Sequence, residues 1–222
     1  INKLKTTPPK PYTIIVGGSK IGSKIHMLKS FLGIADNILI GGGMAFPFIK
    51  YLGGEIGKSI CKNNELGVVQ DFLKEAKEHN TNIVLPLDCI VVDSIDIARN
   101  IKTVNIKNIP TNKIGVDIGP KTIELFSDTI NNSQSIMWNG PMGISEIKPF
   151  SKGTERIAHS IAQRTQNGVY TLIGGGDTIA AISKLTPQNQ YSYVSTGGGA
   201  MLEFCKNIAL PGLVGLEKLI IK

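Results

Sequence analysis

The chain has 222 residues, enough for one large α/β domain with a real core, and no low-complexity tract interrupts it. Its 24 Lys and Arg against 17 Asp and Glu give a net charge of +7, but the lysines are scattered and no Arg-rich or aromatic-interleaved basic stripe exists, so nucleic acid is not an expected partner. No apolar run approaches the ~20 residues of a membrane span and no secretory signal is recognisable, so neither a membrane nor export is expected.

Residues 1–11 are rich in Lys, Thr and Pro, and Pro8, Pro9 and Pro11 exclude a helix interior. They read as the end of a linker or of a preceding element. The start at Ile1 rather than Met reads as a piece of a longer chain. Residues 12–16 are the first core strand, and Gly17-Gly18-Ser19-Lys20 follows it directly. Apolar residues at Ile21, Ile25, Leu28 and Phe31 predict a helix over 21–31. Lys20 and Lys24 are one helical turn apart and are expected on one face of that helix. Directly after a glycine loop, two ammonium groups suit a triphosphate better than a pyrophosphate; the alternative is a pair of solvated lysines.

The second strand, 37–40, ends in Gly41-Gly42-Gly43. A helix over 45–52 tolerates Pro47 only in its first turn. The following Gly-Gly-Glu-Ile-Gly-Lys-Ser, 53–59, looks like a P-loop but has Leu52 where that motif needs glycine, and it follows a helix rather than a strand. It reads as a glycine-capped helix end. An amphipathic helix over 67–79 leads to the third strand, 82–85. Residues 88–105 break the rhythm, with 89–92 and 103–106 forming a small excursion of strands or loop. A run at 114–117 then leads to Ile118-Gly119-Pro120-Lys121-Thr122, where Thr122 is a candidate cap for a helix over 123–130.

The fourth strand, 135–138, ends at Asn139, and Gly140-Pro141 enforces a tight turn. Glu146 could bond ribose hydroxyls or be a solvated loop acid, and Trp138 reads equally well as core. A helix over 154–166, a fifth strand at 170–173, a short helix over 178–184, a sixth strand at 191–194 and a last helix from 200 complete the pattern. In 170–178 a buried strand stops at Gly174-Gly175-Gly176 and turns into a helix. That arrangement offers free N–H groups at the positive end of a helix dipole, where phosphate binds. Asp177 could hold a metal there, and Thr178 could donate its hydroxyl to a phosphate oxygen. Gly197-Gly198-Gly199 repeats the device.

Strands alternating with helices predict a doubly wound parallel sheet, whose ligands bind at the strand carboxyl ends. The glycine clusters sit at those ends. Gly17 to Gly22 also resembles a dinucleotide fingerprint, but the acid expected about 20 residues on would be Asp36, which precedes the second strand instead of ending it. A dinucleotide-binding module of an oxidoreductase is therefore the alternative reading. His26, His79 and His159 show no partner spacing and read as surface residues, and no carboxylate pair is placed as acid and base. That pattern fits phosphoryl transfer, where catalysis is mostly positioning and charge neutralisation. Cys61, Cys89 and Cys205 have no metal spacing, Cys89 reads as core, and the expected compartment is reducing cytosol.

Taken together the strings resemble one family, phosphoglycerate kinase, in its C-terminal, nucleotide-binding half. They are VGGSK with Lys24 (16–24), IGGGMAF (40–46), GKS (57–59), LPLD (85–88), DIGPKTIELF (117–126), WNGPMGISE (138–146), PFSKGT (149–154), IGGGDT (173–178), STGGGA (195–200) and LPG (210–212). They run in the family's order. The resemblance implies a three-layer α/β/α Rossmann-like domain over 12–222 with a six-stranded parallel sheet in order 3-2-1-4-5-6. Residues 1–11 would end an interdomain helix. The substrate domain, with its phosphoglycerate patch and catalytic arginine, would lie outside this chain. The implied reaction is reversible phosphoryl transfer from 1,3-bisphosphoglycerate to ADP, giving 3-phosphoglycerate and ATP, with Mg²⁺ as cofactor. A cytoplasmic monomer is expected.

By position, Lys20 and Lys24 resemble the lysines on the nucleotide phosphates and the transferred phosphoryl. Gly18, Ser19, Gly42, Gly43, Ile60, Gly115, Val116 and Ile144 resemble the adenine pocket. Asn139 and Pro141 would line the nucleotide channel, Glu146 would bind ribose, Asp177 would hold Mg²⁺ and Thr178 would touch phosphate. Gly174, Gly175, Gly176, Gly197, Gly198 and Gly199 would cradle the phosphoryl group, with Gly176 and Gly199 closest to the chemistry. Ser19, Pro47, Val116 and Ser145 depart from the commoner family residues, which bears on the pocket's shape rather than on the reaction.

Overall fold

The computed structural model describes residue 4 and residues 7–96, 98–183, 185, 187–197 and 201. In chain order the first half runs β1 (Tyr12–Val16), α1 (Ile21–Lys29), β2 (Asn37–Ile40), α2 (Ala45–Tyr51), β3 (Glu55–Ile56), α3 (Glu65–Glu78), β4 (Asn82–Val84) and β5 (Asp88–Val92). The second half runs β6 (Lys102–Asn105), β7 (Asn108–Ile109), β8 (Ile114–Ile118), α4 (Pro120–Asn131), β9 (Ser135–Asn139), α5 (Lys152–Gln166), β10 (Tyr170–Gly174), α6 (Gly176–Ile182) and β11 (Tyr193–Ser195).

Six parallel strands form the main sheet in the order β11-β10-β9-β1-β2-β4. Counting only these strands, this is the predicted 3-2-1-4-5-6. The central strands β1 and β9 are buried along their whole length, as a parallel sheet covered on both faces requires. Alternate residues feed opposite faces. Tyr12, Ile14 and Val16 join Ile38, Ile40, Met137 and Leu172 in a core with α1, α2 and α3. Ile15, Leu39, Ile136, Trp138 and Ile173 join a second core with α4, α5 and α6. The result is three layers.

The break in rhythm after β4 is a small antiparallel sheet, β6-β5-β8, beside a two-stranded β3-β7 ladder. It carries its own apolar core around Phe46, Ile49, Val91 and Ile109. The segment after α2 turns at Gly53, with φ +83°, and Ser59 spends its hydroxyl on the Gly115 amide at 2.9 Å. No P-loop geometry exists there.

Four local expectations need correction. Helix α4 begins at Pro120, so Thr122 is inside it and does not cap it. The cap comes from Asp88, 34 residues away, whose carboxylate accepts the Lys121 and Thr122 amides at 3.1 and 2.9 Å and the Thr122 hydroxyl at 2.7 Å. Lys20 is not helical: it is the extended N-cap of α1, so it does not share a helix face with Lys24. Helix α6 begins at Gly176, two residues before the predicted start, which puts Asp177 in its first turn. The sixth strand is at 193–195 rather than 191–194, and the predicted last helix lies outside the described residues except for Met201.

Candidate functional site

Strand order reverses between β1 and β9, and the loops leaving these two strands are hydrogen-bonded to each other. The Gly17 amide donates to the Asn139 carbonyl at 3.1 Å, and the Gly18 amide to the Pro141 carbonyl at 2.8 Å. The loop after β2 joins them, since the Met44 amide donates to the Gly18 carbonyl at 2.9 Å. So close a crossing leaves no room for side chains. A Cβ on Gly17 would lie 2.0 Å from the Pro141 carbonyl oxygen. Gly140 adds a conformational demand, with φ +100° and the Gly17 carbonyl 2.3 Å from any Cβ. Trp138 is core, as one of its two readings had it, and its indole N–H also donates to the Gly140 carbonyl at 2.8 Å, fixing the same turn.

Lys24 rises into this crossing from α1. Its Nζ donates to the Gly17 carbonyl at 2.7 Å and the Asn139 carbonyl at 3.3 Å. Burial pushes its ammonium down to about 8, against the opposing pull of the Asp177 carboxylate. Asp177 itself is exposed in the first turn of α6, where the helix dipole favours an anion. Gly175 opens that helix with φ +95°, and a Cβ on Gly176 would meet nothing within 4 Å, so the helix start lies open. Thr178 differs from expectation: it is fully buried, and its hydroxyl oxygen accepts the Gly140 amide at 2.6 Å, bracing two loops. The Asn139 side chain is 3% exposed, and its Nδ2 has no hydrogen-bond partner among the described residues.

A cavity of about 330 Å³ opens between this edge and the antiparallel sheet. Of the predicted residues, Gly18, Ser19, Gly42, Gly43, Ile60, Gly115, Val116, Pro141, Ile144, Glu146 and Asp177 line it. Lys20, Lys24, Asn139, Gly174, Gly175, Gly176, Thr178 and Gly197 are not among its lining and belong to the strand-end loops and helix starts of the main sheet. Gly198 and Gly199 lie outside the described residues. The wall is mostly apolar, and Ile60, nearly half exposed, closes over Gly43 with its Cγ2 3.0 Å from where a Cβ would stand. Glu146 is an exposed acid at the rim.

Several lining residues escaped sequence reasoning: Phe46, Cys89, Met142 and above all Asp117. Asp117 stands within the apolar strand β8, one residue before its end at Ile118 and the following Gly119-Pro120, and an acid in that position was the available signal. It is 5% exposed, and it accepts the Gly153 amide at 2.7 Å and the Ile118 amide at 2.9 Å. Burial pushes its carboxyl up to about 7, only partly offset by those two bonds. Cys89 is buried and its thiol is pushed up to about 12, so it is an inert wall residue. All three histidines are exposed.

No group of three or more His, Cys, Asp or Glu that could hold a metal occurs among the described residues. The one exposed carboxylate at the open start of α6, Asp177, fits a magnesium ion that takes its remaining ligands from phosphate and water. No helix among the described residues is long and apolar enough to cross a membrane.

Comparison with known proteins returns one family throughout. The phosphoglycerate kinase family model matches residues 1–207. A curated phosphoglycerate kinase from Thermosipho africanus (strain TCF52B) is 45% identical over 217 residues, covering 97% of this chain and 54% of the relative. Among solved structures, the phosphoglycerate kinase of Coxiella burnetii superposes with TM-score 0.89 at 40% identity, covering 93% of this chain and 53% of the other. That of Pyrococcus horikoshii OT3 superposes with TM-score 0.77 at 26% identity, covering 97% and 54%. The chain spans about half the length of the relatives it matches.

Proposed function

The chain belongs to the phosphoglycerate kinase family, and from that premise we propose that it is the nucleotide-binding half of such a kinase. The whole enzyme would move a phosphoryl group between the carboxyl oxygen of 1,3-bisphosphoglycerate and the β-phosphate of ADP, breaking one P–O bond and forming another. The carrying observation is the adjacency of two unlike environments. An apolar cavity bounded by Ile60, Gly115, Val116 and Ile144 suits a base. It opens at Asp177 toward the switch-point edge, where Lys24 sits.

In this reading adenine lies between Ile60 and Ile144, and Glu146 at the rim accepts the ribose hydroxyls. The diphosphate runs past Asn139 and Pro141 toward Lys24, with Lys20 and Gly197 as further phosphate contacts, while the buried Thr178 braces the Gly140 turn beside them. Mg²⁺ bound with ADP or ATP would take Asp177 as its protein ligand and neutralise phosphate charge. The orphaned Asn139 amide offers a donor to a phosphate oxygen. Gly174, Gly175 and Gly176 would leave backbone N–H groups facing the phosphoryl group in transit, a role that the family resemblance extends to Gly198 and Gly199. The acceptor and its basic patch would come from the other half of the enzyme. We place the protein in the cytoplasm as a monomer, without nucleic acid or membrane as partners.

The dinucleotide-binding alternative needs an acid at the end of β2. That strand runs into Gly41, and Asp36 stands at its start, bonded to Lys10 and to the Tyr12 amide. Calorimetric titration of residues 1–222 with ADP, with and without Mg²⁺, tests the proposal. One Mg²⁺-dependent site is expected, and Asp177→Ala should bind metal-free ADP normally but lose the gain from Mg²⁺. NAD binding tighter than Mg-ADP would overturn the reading, and an unchanged Mg²⁺ dependence in Asp177→Ala would remove the metal assignment.

A further inference from the structure

Asp117 has no role in the scheme above, yet it is the most deeply buried carboxylate in the cavity wall. Three observations define its position. It lines the cavity between Val116 and Ile118 of β8. Its two oxygens accept only backbone amides, from Gly153 in the first turn of α5 and from Ile118. No Lys, Arg or His forms an ion pair with it among the described residues.

The surroundings are tight. A Cβ on Gly143 or on Gly153 would stand 2.3 Å from its Oδ1. Gly143 precedes Ile144, whose amide donates to the Val116 carbonyl at 2.9 Å. The carboxyl therefore touches the segment that brings Ile144 and Glu146 to the cavity. Ionisable groups stand on every neighbouring element: Asp88 and Cys89 on β5, Glu146 and Lys148 after β9, Lys152 and Glu155 on α5, and Asp177 on α6. Of these, Glu155 is the one whose charge bears on Asp117, and it is an anion. Water in the cavity is then the main solvation left for a carboxylate with two amide donors and no cation. Any ligand that fills the cavity displaces that water, and a neutral base gives the charge nothing in return.

We infer that Asp117 is a further affinity-determining residue of this pocket, and that its carboxyl becomes more fully protonated, drawing on solvent, when a nucleoside fills the cavity. The inference rests on the nucleotide reading of the cavity. The carboxyl already stands near 7, raised from the ordinary 3.8 mainly by burial, so further drying moves a titration that lies in the neutral range. Nucleoside binding should then be tightest on the acid side and weaken as pH rises through that range. If the ligand raises the group by about one further unit, affinity falls about tenfold between the two plateaus.

Adenosine is the probe, because it has no phosphate and no group of its own that titrates near neutrality. Its dissociation constant would be measured on residues 1–222 by ligand-observed NMR across the neutral range. Proton uptake would be read at pH 7 from calorimetry in buffers of different ionisation enthalpy. Weakening with rising pH, uptake of a fraction of a proton, and loss of both in Asp117→Asn are expected. Glu155→Gln removes the neighbouring anion from a partly exposed site and should move the midpoint to lower pH, which decides the matter should Asp117→Asn fail to fold. Adenosine binding that is level with pH, or a slope that survives in Asp117→Asn, or a midpoint unmoved in Glu155→Gln, would overturn the inference and leave the pocket reading intact. No adenosine binding at any pH would overturn both.

Discussion

Lys24 allows the phosphate end of the site to be tested quantitatively. Burial lowers its ammonium from 10.5 to about 8 while Asp177 opposes the shift. A nucleotide phosphate docked beside it would favour the charged form and raise it again. If the complex restores the ordinary value, ATP affinity is level at pH 7 and falls about tenfold per pH unit beyond 8. At pH 9.5 only about 3% of the free protein carries the charge, so ATP should bind about 30-fold more weakly, or about 2 kcal/mol. Stability runs the other way. A lysine whose folded value is depressed binds its proton less tightly folded than unfolded, so this group costs stability below pH 8 and that cost disappears between 8 and 10.5. Lost affinity at pH 9.5 therefore cannot be charged to unfolding through Lys24. The assay is an ATP titration in the presence of a chelator, which keeps Asp177 facing Lys24 without metal. Lys24→Ala should bind ATP more weakly at pH 7 and show a flat profile above it. A level wild-type profile, or an equal fall in Lys24→Ala, would refute the assignment of Lys24 to the phosphates.

Other outcomes follow from the same geometry. Glu146→Ala should erase most of any preference for ADP over dADP, about 1.5–3 kcal/mol if a charged hydrogen bond is lost; a preference that survives puts the ribose elsewhere. Asp88→Ala should cost about 2–3 kcal/mol in chemical denaturation, since it removes the cap of α4 and leaves the Lys121 amide and the buried Thr122 amide without their acceptor. A loss under 0.5 kcal/mol, on the order of an ordinary surface change, would mean that water or Thr122 itself replaces the cap. Purified 1–222 should bind Mg-ADP yet transfer phosphoryl between ATP and 3-phosphoglycerate at no more than a trace rate, because in-line positioning of the acceptor is worth up to ~7–11 kcal/mol of barrier. Turnover in a coupled assay that disappears in Lys24→Ala would show that the acceptor site lies within this chain.

What the sequence disclosed depended on whether the signal was local. Buried strands announce themselves as short apolar runs, and β1, β2 and β9 lie within a residue of the expected bounds. Glycines at strand ends mark close approach, and Gly17, Gly42 and Gly140 do meet other loops within 3 Å of any added Cβ. Strand order is not local, and it came only with the family resemblance. Helix starts were misplaced where the cap is distant or absent. Asp88 reaches α4 across 34 residues, and Gly175 opens α6 through its own backbone with no side-chain cap. Asp117 was missed for a related reason. An acid in an apolar strand has meaning only once the cavity beside it is known.

The two ends of the site are stabilised differently, and this bears on where binding energy comes from. The end proposed for the base is preformed. Ile60 is held by the bond from the Gly115 amide to Ser59, Ile144 by its bond to Val116, and Gly43 by the contact with Ile60, so a nucleoside orders little on entry. The end proposed for the phosphates carries a deficit. Asn139 buries an amide nitrogen without an acceptor, which costs the fold about 1–3 kcal/mol. Lys24 adds the desolvation of an ammonium satisfied by two carbonyls and faced by one carboxylate at a distance. An anion placed between Asn139 and Lys24 relieves both costs at once. A chain selected for stability alone would fill this position with an apolar side chain. An unpaired donor beside an under-neutralised cation, at the one point where strand order reverses, is better explained by a phosphate that arrives and leaves.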